Sequence, residues 1–110
     1  MRCCITGINV PSLLRASHIK PWSEFADCRL DPRNGLCLSS LHDAAFDSGL
    51  ITLDESFRVV LSKRLKEHFP QPALEQNFVP FEGQAIRLPD KLAKPNGEFL
   101  EYHREAIFVG

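Results

Sequence analysis

Apolar positions in this chain fall in short runs separated by turn formers, which predicts many brief elements rather than a few long ones. The run "LLRASHI" (residues 13–19) suits a short strand, and Pro21 bars a helix through His18 because proline disfavours helical geometry in the residue before it. Two earlier stretches, "CCITG" and "NVPS", read as turns, the second closed to helix by Pro11. "WSEFADC" suits one helical turn with Ser23 as N-cap. Asp31-Pro32 and Asn34-Gly35 are turn formers, and "LCL" after them is a second short strand. "SSLHDAAFDSG" then predicts a helix: Ser39 or Ser40 caps it, Leu41, Ala44, Ala45 and Phe46 are its apolar residues, and Gly49 stops it.

Downstream, "LITL" and "FRVVLS" flank "DES" as a β-hairpin, expected to cover the exposed side of the helix. "KRLKEHF" is open between a helical turn and a strand end. "PQPALEQ" suits a short helix and "QAIRLP" a short strand. "GEFLEYHREAIF" spaces Phe99, Leu100, His103, Ala106, Ile107 and Phe108 nearly helically, which predicts a C-terminal helix with an apolar face on the core. His103 there reads as structural.

Length and charge narrow the picture. With 110 residues the chain suits one domain over 1–110. A formal net charge of −1 excludes a generally basic nucleic-acid binder, so any such role needs local clusters. Arg29 and Arg33 form one, with guanidinium forks suited to phosphate, and they suit a solvated loop equally well. No apolar run approaches the roughly 20 residues of a membrane span, and the start resembles no secretory signal, so a cytoplasmic location is expected. Four cysteines, Cys3, Cys4, Cys28 and Cys37, lack the paired spacing of a zinc site and are expected as buried free thiols.

The chemistry-bearing residues are His18 on the first strand, Asn34 in the turn before the second, and His42 at the start of the helix. Two strands followed by a helix can bring all three to one cleft. The strings that surround them, "CITG", "ASHIKPW", "DPRNGLCL" and "LHDAAFDSGLIT", occur in order between Cys4 and Thr52. This ordered set resembles the HNH endonuclease family, and within it a bacterial, restriction-type subfamily. "IRLP" and "FLEYHREAIF" are similar to the tail of the same subfamily.

The resemblance implies an α+β fold with a small ββα-metal core at about 13–49, extended by a hairpin and C-terminal cap at about 50–110. It implies metal-dependent hydrolysis of DNA phosphodiester bonds, on duplex DNA, with no organic cofactor. His18 would take a proton from water, as a histidine can at physiological pH. Asn34 would orient His18, its amide holding the ring tautomer. His42 would bind a divalent metal, magnesium or manganese first, with zinc or nickel open. Ser17 stands where many relatives place a further ligand, so Asp47 and Asp43 are candidates beside His42. His42 and Asp47 lie about 140° apart on a regular helix, so sharing one ion requires a distorted helix end. A homodimer with two clefts is one route to cutting both strands. Two rivals stay open: a catalytically inactive nucleic-acid-binding module of the same fold, and a structural zinc domain for protein contacts.

Overall fold

The fold was obtained as a computed structural model, which describes residues 2–20, 34–88 and 95–110. The expectations for Ser23, Cys28, Arg29, Arg33 and the Asp31-Pro32 turn lie outside the described residues.

An antiparallel hairpin opens the fold. Strand β1 (Leu14–His18) pairs with β2 (Gly35–Ser39), and the register sets Leu14 opposite Ser39, Ala16 opposite Cys37 and His18 opposite Gly35. Helix α1 (Ser40–Asp47) follows β2 directly. Ser39 is both the last strand residue and the N-cap, its hydroxyl accepting the His42 backbone N–H at 3.2 Å. The chain then turns at Gly49, whose φ of +78° suits glycine. A Cβ there would stand 2.0 Å from the Ile107 carbonyl oxygen, so the position also needs glycine for the close approach of the C-terminal tail.

A second antiparallel hairpin, β3 (Ile51–Leu53) and β4 (Val59–Leu61), turns as the "DES" pattern predicts. One Asp54 carboxylate oxygen accepts the backbone N–H groups of Ser56 and Arg58, closing that turn. Helix α1 packs against β1, β2 and β3, so the two hairpins flank it. "KRLKEHF" resolves as a helical turn, α2 (Lys63–Lys66), capped by Ser62. Helix α3 runs Pro72–Phe78.

Two expectations need correction. Over its described residues "QAIRLP" forms no strand: Ala85 makes a single antiparallel bridge to Arg58, and the pairing ends where the Arg87 N–H goes instead to the Cys4 carbonyl. The C-terminal helix is α only over Gly97–Tyr102 (α4) and continues as a wider π turn over His103–Ile107. That widening coincides with the tail bending back, where the Val109 N–H reaches the Gly49 carbonyl at 2.9 Å.

The core gathers apolar residues from both halves of the chain, among them Ile19, Leu38, Phe46, Ile51, Phe78 and Leu100. Cys3 and Cys4 are buried and Cys37 half-buried, and all three are free thiols. Burial, then the neighbouring Cys3 and Cys37, push the Cys4 thiol up to about 12. For Cys3 burial acts the same way, but hydrogen bonds from Thr6 and from the Ser39 and Ile5 backbones outweigh it and hold the value below the ordinary one. None of the described helices is long and apolar enough to cross a membrane.

Candidate active site

His18 ends β1 in a half-buried position opposite Gly35. Glycine has no side chain, so the residue directly opposite on β2 does not shadow the imidazole. Ser17, one residue earlier, points to the other face as strand alternation requires. It is 2 % exposed, and among the described residues its hydroxyl finds no partner.

Beyond His18 the ladder is continued by Asn34. Its backbone carbonyl accepts the Ile19 N–H at 2.9 Å. Its side-chain oxygen accepts the Lys20 N–H at 2.8 Å, and its amide nitrogen donates to the Lys20 carbonyl at 3.3 Å. Asn34 is 1 % exposed, so these bonds are made in a dry site and are costly to lose. The expectation that its amide holds the His18 ring is therefore corrected. Among the described residues the amide grips the backbone of Lys20, and any influence on His18 runs through the main chain.

Lys20 is itself held from outside the hairpin. Its ammonium lies 5.0 Å from the Phe99 ring centroid and 5.4 Å from that of Tyr102, both on α4. These are cation–π distances. The end of β1 is thus fastened by Asn34 on one side and by the C-terminal helix on the other.

Asp47 closes α1 at an exposed position, with Asp43 one turn before it. Loss of hydration raises the Asp47 carboxyl above its usual range, the Asp43 carboxylate adds to the rise, and His18 opposes it. Asp43 and His18 therefore both lie within electrostatic reach of Asp47.

His42 is placed differently from expectation. It is 1 % exposed, with Nε2 2.7 Å from the Asn77 carbonyl and Nδ1 2.6 Å from the Ser39 hydroxyl. A carbonyl only accepts, so Nε2 carries the proton and Nδ1 accepts from Ser39. Neither ring nitrogen retains a lone pair for a metal. Its ring packs against Phe78 with centroids 4.8 Å apart, and burial lowers its pKa. The expectation of a metal ligand at His42 gives way to a buried structural histidine, because the third residue of α1 turns into the core, where Ser39 and Asn77 take both ring nitrogens.

The divalent metal implied by the resemblance must then find other donors. Among the described residues no three histidine, cysteine, aspartate or glutamate side chains are grouped to hold an ion. With the His42 ring committed, the residues described do not fit a ligand set by themselves. Arg29 and Arg33 lie outside the described residues.

Ser39 was legible as a partner of His42 from the three-residue spacing of a helix cap. Asn77 was not, because it approaches from 35 residues away. Lys20 carried a weak signal, being two residues beyond His18 on an extended segment.

No curated protein matches this sequence. Residues 3–54 match the family model described as HNH endonuclease, and the match spans β1, the Asn34 clamp, β2 and α1. This hairpin-and-helix segment belongs to the HNH endonuclease family.

Proposed function

We propose that the chain is an endonuclease that hydrolyses phosphodiester bonds of duplex DNA, with His18 as the general base. The observation that carries the reading is the grip of Asn34 on Lys20, which fixes the backbone direction just past His18. A base must hold its ring within hydrogen-bond reach of the attacking water, and a clamped backbone limits where that ring can go. Asp47 would stabilise the imidazolium formed when His18 takes the proton, since an opposite charge nearby favours the protonated form. Magnesium or manganese is the proposed cofactor class, and two copies acting together the proposed route to a double-strand cut. Arg29 and Arg33 are proposed as phosphate contacts from the sequence alone.

A second reading, DNA binding without cleavage, is favoured by one observation: the His42 ring is fully committed within the fold. Supercoiled plasmid incubated with magnesium or manganese separates the two. The nuclease reading expects nicked or linear product from the wild type and none from His18→Ala, with the variant folded and still binding DNA. Intact plasmid under both ions, or full cutting by His18→Ala, rejects it.

A further inference from the structure

We propose that Arg2 and Arg87 form a clamp for one backbone phosphate of DNA, separate from His18. The two arginines are far apart in sequence and meet at Gly7. Arg2 Nη1 donates to the Gly7 carbonyl at 3.2 Å. The Arg87 guanidinium lies against the same turn from the other chain segment: a Cβ on Gly7 would stand 1.9 Å from its Nη1 and 2.7 Å from its Cζ. Gly7 has a φ of +79°, so glycine serves both the turn and the room that Arg87 occupies.

Both side chains are exposed, and neither pairs with a carboxylate among the described residues, where Lys66 and Glu82 do. Two guanidinium groups drawn to one turn concentrate positive charge there. A phosphate suits that place, because the planar forks donate in pairs to its oxygens.

Backbone bonds tie this turn to the strand that carries His18 in a row. The Arg87 N–H reaches the Cys4 carbonyl at 2.8 Å, and the Cys4 N–H reaches the Cys37 carbonyl at 2.9 Å. Cys37 in turn pairs with Ala16, two residues before His18. Arg87 thus stands three rungs from β1, about 14 Å at roughly 4.8 Å per rung. That separation is a few nucleotides along one DNA strand, so the clamp would hold the strand beside the bond at His18.

The inference rests on DNA as the ligand but not on cleavage. Its test is the affinity for a fluorescent duplex oligonucleotide, read by anisotropy over a salt series with EDTA present to hold hydrolysis off. Arg2→Ala and Arg87→Ala are each expected to weaken binding. The double variant should flatten the dependence of log affinity on log salt by about 0.9, the value for one phosphate. Gly7→Ala should weaken binding in the wild type and add nothing to Arg87→Ala, because both act by removing the same guanidinium. Wild-type salt dependence in the double variant, or a Gly7→Ala loss of equal size in both backgrounds, overturns the clamp. Where Gly7→Ala fails to fold by thermal melting, the two arginine variants decide. If wild type leaves plasmid uncut but the salt dependence flattens as stated, the clamp stands and the cleavage reading falls. Normal cutting with unchanged salt dependence removes the clamp alone.

Discussion

His103 lies flat on Phe46, with ring centroids 3.7 Å apart and planes 9° from parallel. Its Nε2 is 2.8 Å from the Phe46 carbonyl and its Nδ1 2.7 Å from the Thr52 hydroxyl. The π turn that carries His103 is thereby joined to α1 and to β3 at once. A neutral imidazole satisfies both bonds: Nε2 donates to the carbonyl, and Nδ1 accepts from threonine. An imidazolium would lose the second and sit unhydrated in the core, 1 % exposed.

Acid should therefore unfold the protein partly through His103. Burial, with a smaller opposing effect from the Phe46 carbonyl and a further lowering from Arg104, brings its pKa down to about 4. Unfolded, the ring titrates near 6.5, so between the two values the unfolded state holds more protons and stability rises with pH. The contribution is complete above about 6.5 and disappears as pH falls towards 4, amounting to roughly 3 kcal/mol at most. Urea midpoints from pH 8 to pH 4 in wild type and His103→Gln would show this as a gap that narrows with acid. A gap of constant size across that range would contradict it.

His42→Ala should cost stability rather than metal affinity. It leaves the Asn77 carbonyl without its donor and opens space beside Phe78. A loss of about 2–4 kcal/mol is expected from the unmade bonds and the cavity together. Chemical denaturation paired with manganese titration by calorimetry distinguishes the roles. Unchanged stability with abolished metal binding would restore His42 as a ligand.

Asn34→Ala should loosen the backbone past His18. Two hydrogen bonds to Lys20 vanish in a buried site, at a cost of about 1–3 kcal/mol. On the proposed reading, plasmid cleavage is expected to fall mainly in kcat, since His18, the proposed base, loses its fixed place. Asn34→Asp keeps one acceptor for the Lys20 N–H and should retain more stability than alanine. An Asn34→Ala protein with wild-type cleavage and a wild-type melting temperature would show that the clamp is dispensable.

Gly49→Ala should be among the most damaging single-methyl changes. The residue has positive φ, and the new Cβ would collide with the Ile107 carbonyl. More than about 1 kcal/mol should be lost. The collision is with the tail, so hydrogen exchange should rise most at residues 103–109. Uniform exchange over the whole chain would place the damage elsewhere.

The hairpin-and-helix core was open to sequence reading because its signals are local. The cap serine at 39 and Gly49 each act on their own neighbours, and they fix α1 nearly to the residue, whereas Asn34-Gly35 pairs across the ladder with Ile19 and His18 rather than turning on itself. The same reasoning failed at "QAIRLP", where an extended apolar stretch finds only a single bridge. A strand exists only if a neighbour runs alongside it, and no local signal reports that.

The site divides in the same way. The order of strings between Cys4 and Thr52 pointed to the family and made His18 a candidate. Tertiary structure alone decided that the ring of His42 is spent on Ser39 and Asn77, that Asn34 holds Lys20, and that Arg2 and Arg87 meet over Gly7. Each of those depends on which distant segment arrives to offer a partner. A histidine becomes ligand, base or buried strut according to where its two nitrogens end, and chain spacing sets only the first few ångströms of that path.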